Sequence, residues 1–259
     1  MRLLIPIIFS FLLCDSVDNQ PVDTIAYPIG VQKLMAAYPS QIKGYEDGFL
    51  IFHDQSRMVY DYGQINNTHT ELLDEPDLKD MFAYPYPMGI VITPPEHNQD
   101  PGRIRNLEFY KKIYGQTREE VEQHLTEIVW CPQTIGQTLL VTTINDVDKR
   151  LVKISEELEK HPEWTACIRA AGRGFSWRVI AGTDRLSAHS FGIAIDLNRT
   201  CSDYWQWDYQ TADENILITY KNRMPLEIVE IFEQYGFIWG GKWYHYDTMH
   251  FEYRPELLM

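Results

Sequence analysis

The fold of this chain is decided by one stretch, Ser187-Ala188-His189-Ser190-Phe191-Gly192-Ile193-Ala194-Ile195-Asp196-Leu197-Asn198. Its second half, Ile193 to Leu197, is apolar and mostly β-branched, which predicts a short buried strand. Alternate residues share a face of a strand, so Asp196 shares its face with a small alanine. Burying a lone carboxylate is costly unless a cation or hydrogen bonds compensate. Because Gly192 lets the chain turn, His189 can approach Asp196, and the pair predicts a metal site.

A second stretch supplies the ligand that this site still needs, Trp243-Tyr244-His245-Tyr246-Asp247-Thr248-Met249-His250-Phe251-Glu252. A catalytic zinc site typically has three protein ligands and one position open to water. His189, Asp196 and His250 make that set. Asp247 is then a carboxylate beside the metal, not needed as a ligand and placed to act as a general base.

Two alternatives stay open within the second stretch. His245 is a rival ligand because it is close to His250 and flanked by aromatic residues. In an extended strand His250 and Glu252 share a face, whereas Asp247 has the opposite parity. Asp247 therefore requires a bend at Thr248, and without that bend Glu252 would be the base.

These residues resemble the M15 (VanY-like) zinc peptidases of peptidoglycan. The resemblance rests on Ser-x-His-x6-Asp, on the later Asp-x-x-His-Phe-Glu and on Trp177-Arg178 upstream, and it runs from about Ala171 to Glu252. The family includes D-alanyl-D-alanine carboxypeptidases and L-alanyl-D-glutamate endopeptidases, and its fold is shared with the hedgehog signalling domain. The expected fold class is therefore α+β, an antiparallel sheet with packed helices of the hedgehog/DD-peptidase-like type.

The resemblance assigns roles to individual residues. It implies one Zn2+ per chain on His189, Asp196 and His250. It also implies that Asp247 is the catalytic acid/base, at a position where several family members carry Glu. Arg178 is expected to polarise the scissile carbonyl or to hold a substrate carboxylate.

The predicted function is that of a zinc metallopeptidase that hydrolyses amide bonds in peptidoglycan stem peptides, as a D-Ala-D-Ala carboxypeptidase or an L-Ala-D-Glu endopeptidase. Ser187, on the same face as His189, is expected to hydrogen-bond a substrate or a ligand. Two alternatives remain: a zinc-bearing, non-catalytic binding protein of hedgehog-like fold, and a structural envelope lipoprotein. An intact Asp247 and Arg178 favour the enzyme.

Composition limits the other classes of function. The chain has 259 residues, of which 44% are hydrophobic and 23% charged, and this is a globular composition. Its net charge of −14 argues against nucleic-acid binding and against electrostatic docking on anionic lipid, because both need a basic surface. Peptidoglycan peptides are the expected partners.

The N-terminus predicts export. Met1-Arg2 is followed by Leu3 to Leu13, an uncharged apolar run that is too short to span a bilayer and is typical of a signal peptide. We assign residues 1–20 to that signal, residues 21–130 to an N-terminal segment packed on or extending the catalytic domain, and residues 131–259 to the catalytic domain. Cys14 is a candidate lipid acceptor, with ordinary cleavage near residues 14–20 as the alternative. The protein is therefore expected in the periplasm, in the cell envelope or outside the cell, touching membrane only through such an anchor.

Periodicity and cysteine content give the remaining expectations. Patterns of apolar residues predict helices over 107–114, from Thr117 through Ile128, over 147–158 and over 225–236, and strands over 138–143 and 237–239. A hairpin is expected within residues 49–60. In an exported protein, one pair among Cys131, Cys167 and Cys201 could form a disulfide and leave one thiol.

Overall fold

The computed structural model describes residues 27–63, 68–90, 93–170, 172 and 174–259. The predicted signal peptide over residues 1–20, with Cys14, lies outside the described residues. Within the part that is described, no helix combines the length and the apolar character needed to cross a membrane.

Short helices alternate with short antiparallel strands, so the α+β class is confirmed. The helices are α1 Ile29–Ala37, α2 His69–Asp74, α3 Leu107–Tyr114, α4 Arg118–Glu122, α5 Val147–Leu158, α6 Thr165–Ile168, α7 Trp205–Tyr209 and α8 Leu226–Gln234. The strands are β1 Ile42–Glu46, β2 Phe49–Phe52, β3 Arg57–Val59, β4 Leu125–Trp130, β5 Gln137–Thr142, β6 Ala194–Asp196, β7 Phe237–Trp239 and β8 His250–Tyr253.

Three small antiparallel sheets carry these strands, in the orders β1-β2-β3, β4-β5 and β6-β8-β7. In the third sheet β8 lies between its two partners, although it follows both of them in the chain. Its register with β6 pairs Asp196 directly with His250 and Ile195 with Phe251. This register places two of the predicted metal ligands side by side.

One apolar core joins the predicted N-terminal segment to the predicted catalytic domain. Val31 of α1 and Leu151 of α5 belong to the same buried cluster as Phe232 of α8 and Phe251 of β8. The rings of Phe232 and Phe251 stack with their centroids 4.0 Å apart, which fixes α8 against the third sheet. The hydroxyl of buried Tyr38, just after α1, donates to Glu256 Oε2 at 2.7 Å. The two segments therefore pack as neighbours around a shared core.

Most of the predicted elements are confirmed, and one is wrong. Helices α3, α5 and α8, strands β5 and β7 and the β2–β3 hairpin occur where the sequence patterns place them. Thr117 caps α4 as expected, but this helix ends at Glu122 instead of continuing through Ile128. Residues Leu125–Trp130 form β4, with Ile128 buried and its two neighbours exposed. Pairing with β5 along the whole length of β4 satisfies the backbone there and outweighs helix propensity.

The cysteines behave as the sequence suggests. Cys167, in α6, forms a disulfide with Cys201, across a sequence separation of 34 residues. Cys131 remains a buried free thiol. The disulfide ties the segment that follows β6 to α6, close to the stretch that carries Asp196.

Candidate active site

A glycine turn delivers His189 to the site. His189 lies in the short 3-10 turn Ala188–Phe191, which ends at Gly192 with φ +68°. A Cβ atom on Gly192 would lie 2.9 Å from the backbone nitrogen of Thr142, so a side chain there is excluded by space as well as by conformation. The Ser187 hydroxyl oxygen accepts the His189 backbone N–H at 3.4 Å and so caps this turn. The turn predicted at Gly192 is present.

The three predicted ligands converge on one point. Asp196 Oδ1 lies 3.2 Å from His189 Nε2 and 2.9 Å from His250 Nδ1. One ligand atom from each residue can be chosen so that all lie within 4.8 Å of one another. The antiparallel pairing of β6 with β8 and the turn at Gly192 together produce this cluster.

The atoms of the cluster fit a zinc ion. His189 Nδ1 lies 2.7 Å from the Gly174 carbonyl oxygen, which assigns the proton to Nδ1 and leaves Nε2 with its lone pair. Nε2 is buried and has no hydrogen-bond partner among the described residues. Such an atom in a folded interior usually indicates a missing water or ion. Two imidazoles and one carboxylate, with room for a fourth ligand, are a donor set that zinc accepts in catalytic sites.

Electrostatics keeps the central carboxylate ionised. Burial alone would raise the pKa of Asp196, but the facing rings of His189 and His250 hold it well below its usual range. Asp196 therefore remains ionised at neutral pH.

Glu252 lies behind the ligand His250. Its Oε2 is 3.0 Å from His250 Nε2, and its side chain is fully buried. Arg105 donates to both Glu252 oxygens, through Nε at 3.0 Å and through Nη2, and Arg254 Nη1 donates to Oε1 at 3.1 Å. A carboxylate held this way orients a ligating histidine and fixes which nitrogen carries its proton. The described lining of the cavity beside the cluster does not include Glu252, and this argues against the alternative that made Glu252 the base.

Asp247 lies beside the cluster, at the bend that the sequence requires. Its carbonyl oxygen accepts the His250 N–H at 3.2 Å, and the bend at Thr248 turns the chain out of the strand. Its Oδ1 is buried without a hydrogen-bond partner among the described residues. Burial, and next the negative charge of Asp196, raise the pKa of Asp247 to about 7. A carboxyl group with a pKa near neutrality can accept a proton and return it.

A cavity of about 300 Å³ opens over the cluster. Its lining includes the three ligands together with Asp247, Ser187 and Arg178. The backbone of Arg178 is held by Ser190, whose Oγ accepts from the Arg178 nitrogen at 3.0 Å and donates to its carbonyl at 2.9 Å. The guanidinium forms no ion pair with any described residue. Arg178 therefore offers an uncommitted cation to a molecule in the cavity.

The cavity continues into a larger one of about 610 Å³. The residues that line both cavities, and so form the boundary between them, are Arg103, Arg105, Ile180, Gly182, Thr183, Ala212 and Glu214. Residues of α2 contribute another wall of the larger cavity. The two adjoining cavities together form a groove beside the cluster.

The rival ligand His245 does not join this cluster. Its Nδ1 lies 2.7 Å from Asp100 Oδ2, and its backbone nitrogen donates to Asp100 Oδ1 at 2.9 Å. Sequence reasoning did not find this partner, because Asp100 is 145 residues away and belongs to no recognisable pattern. It also missed the contact of Glu252 with His250 Nε2. The signal for that contact was available, because the two residues are two positions apart in one strand and share a face.

An α+β fold with a buried His–Asp–His cluster, a neighbouring acid of raised pKa and a groove with a free cation defines a candidate metal-dependent hydrolase. Residues 181–253 match the M15 peptidase family model described as D-alanyl-D-alanine carboxypeptidase. The match confirms the resemblance deduced from the sequence. It contains the three ligands and Asp247, whereas Arg178 lies just before it. No curated protein and no solved structure matches the chain significantly.

Proposed function

We propose that this protein is an exported zinc metallopeptidase that hydrolyses an amide bond in peptidoglycan stem peptides. The observation that carries the proposal is the placement of Asp247, with its unpaired buried oxygen, beside the His189–Asp196–His250 cluster in one cavity. The family match over residues 181–253 supports the peptide substrate.

The residues divide the chemistry between them. Zinc on His189, Asp196 and His250 would supply a Lewis acid and a water whose pKa is lowered to about 7. Asp247 takes a proton from the attacking water and passes it to the leaving amine. Arg178 stabilises negative charge that develops on the carbonyl oxygen, or holds a substrate carboxylate.

Several features support export and the family fold. The disulfide between Cys167 and Cys201 suits an oxidising compartment, since such bonds are rare in the cytosol. The apolar run over residues 3–13 suits a secretion signal. We place the protein in the periplasm, in the cell envelope or outside the cell, with Cys14 as a candidate lipid attachment site. The β6-β8-β7 sheet, which carries two ligands on paired strands, supports the hedgehog/DD-peptidase-like fold.

Digestion of purified peptidoglycan fragments by the zinc-loaded protein, with products identified by mass spectrometry, tests the proposal. Loss of one terminal D-Ala would define a carboxypeptidase, and release of the stem peptide from muramoyl-L-Ala would define an endopeptidase. Asp247→Asn should abolish either product. The matched control is Asp208→Asn, since Asp208 accepts the hydroxyl of Tyr246 and stands outside the described lining of the cavity.

One result would favour the non-catalytic alternative. If the wild-type protein binds one equivalent of zinc in this cluster and forms no product from any fragment, the protein is a binding protein of the same fold. A protein without zinc and without activity would agree with the structural lipoprotein.

A further inference from the structure

A second cluster of potential metal ligands lies outside the catalytic cluster. His69 opens α2, Asp100 lies in an irregular segment before α3, Glu214 lies between α7 and α8, and His245 precedes β8. Ligand atoms of His69, Glu214 and His245 can be chosen within 4.8 Å of one another, and Asp100 Oδ2 lies between the two imidazoles. Four distant parts of the chain thus bring two imidazoles and two carboxylates to one place.

The second cluster repeats the geometry of the first. In the catalytic cluster one carboxylate oxygen of Asp196 is flanked by imidazole nitrogens at 3.2 and 2.9 Å. In the second, Asp100 Oδ2 is flanked by His69 Nε2 at 3.2 Å and His245 Nδ1 at 2.7 Å. Glu214 Oε2 adds a further donor, 3.4 Å from His69 Nε2.

His69, like His189, has a buried ring nitrogen without a hydrogen-bond partner among the described residues. Its side chain is only 8% exposed, and neither ring nitrogen has a hydrogen-bond partner of acceptable geometry among the described residues. Its ring stacks on that of His245, with centroids 5.5 Å apart, so the ring is held by packing and not by hydrogen bonds. A buried imidazole that lies 3.2 and 3.4 Å from two carboxylates, with acceptable hydrogen-bond geometry to neither, calls for a proton or a metal ion as its partner.

The side chains around the second cluster carry an excess of negative charge that a cation could balance. Arg103 binds both carboxylates, with Nη1 2.7 Å from Asp100 Oδ2 and Nη2 2.7 Å from Glu214 Oε1. Arg185 also pairs with Glu214 at 3.6 Å and with Asp74 at 2.9 Å. Two guanidiniums therefore face three carboxylates, which leaves one negative charge unbalanced while the histidines are neutral. Arg103 then acts as an outer partner of the carboxylates, which is a common arrangement around ligating groups.

We propose that His69, Asp100, Glu214 and His245 bind a second divalent transition-metal ion, with Zn2+ as the expected occupant. Imidazole and carboxylate donors together suit zinc, and a site with four protein ligands and no open position is typical of a structural metal. The ion would cross-link α2 and two irregular segments to the stretch that carries Asp247. Since Glu214 lies on the boundary of the two cavities, the site would fix the wall of the groove.

The first test is metal content. After saturation with Zn2+ and desalting, mass spectrometry of the metal should find two equivalents in the wild type and one in His69→Ala. His189→Ala should also retain one equivalent, and the double variant none. His124→Ala, at an exposed histidine outside both clusters, is the control and should retain two. Equal zinc content in the wild type and in His69→Ala would overturn the proposal.

A second test measures stability, in the His189→Ala background where the catalytic cluster cannot interfere. Zn2+ should raise the melting temperature of this protein by several degrees, because a ligand that binds only the folded state stabilises it. Adding Glu214→Gln, which keeps the size of the side chain, should remove that rise. If Zn2+ gives no rise, a proton on His69 balances the carboxylates instead and the site is not a metal site. Both tests are independent of hydrolysis, so a failure of the proposed peptidase activity would leave their outcome readable.

Discussion

Replacing Glu252 by Gln tests whether this buried carboxylate sets the metal affinity of His250. In the wild type Glu252 accepts from His250 Nε2 at 3.0 Å, and so turns Nδ1 toward Asp196 with its lone pair free. Gln keeps the size and one acceptor oxygen but loses the charge that makes the imidazole more basic. The change should therefore weaken zinc binding without displacing any ligand.

The size of the effect follows from the contacts. Loss of a group that orients a ligating histidine typically costs about 10- to 100-fold in metal affinity. This range corresponds to about 1.4–2.7 kcal/mol. Stability should fall as well, since Arg105 and Arg254 lose their ionised partner, and a hydrogen bond to a charged group contributes about 1.5–3 kcal/mol.

Competition with a chromophoric zinc chelator measures the affinity, and urea unfolding of the metal-free protein measures the stability. The matched control is Glu256→Gln. Glu256 is equally buried and also pairs with Arg254, at 2.6 Å, but its other partners are Tyr38 and Tyr110 and it forms no hydrogen bond with His250. The control should lose stability and keep the wild-type affinity for zinc.

The comparison of Glu252→Gln with Glu256→Gln separates the orientation of His250 from the general packing of the core. Equal loss of zinc affinity in both variants would mean that general loosening of the core is responsible. Unchanged affinity in Glu252→Gln would refute the role of Glu252 as the residue that orients His250.

Three further predictions follow from the site and its supports. Because burial holds the pKa of Asp247 at about 7 instead of 3.8, the metal-free folded protein keeps a proton that the unfolded chain releases. The free energy of unfolding should therefore fall as pH rises from about 4 to about 7, by at most about 4 kcal/mol, and urea titrations of Asp247→Asn should lack this fall. Arg178→Ala should lower kcat/KM for peptidoglycan fragments by about 10²–10³ while zinc content stays the same; an unchanged kcat/KM would exclude Arg178 from the reaction. Reduction of the bond between Cys167 and Cys201 should cost about 3–4 kcal/mol of stability, since it closes a loop of 34 residues; a loss near zero would mean that the reduced chain keeps this loop closed by other contacts.

The sequence predicts the convergence of His189, Asp196 and His250 because the information for it is local. A strand of period two, a glycine at a positive φ and a histidine at the start of the next strand suffice to place His189, Asp196 and His250. Helices such as α3 and α5 can also be predicted from the sequence, since each has a single apolar face of helical period.

The missed features depend on contacts between distant residues. The pairing of β4 with β5 overrides a local helix pattern that ran from Thr117 into β4. The contact of Asp100 with His245 and the approach of His69 to Asp100 join three segments that are far apart in the chain. No spacing in the sequence encodes that approach, and a carboxylate in an irregular segment looks like any solvated acid.

The order of the strands in the catalytic sheet has a consequence for synthesis. β8 is made after β6 and β7, yet it is the strand that both of them need as a partner. Until residues 250–253 have been synthesised, β6 and β7 have no ladder to join and Asp196 has no opposing histidine. A chain that stops before β8 thus lacks the whole sheet, and Asp196 and His250 can meet only after residues 250–253 have been synthesised.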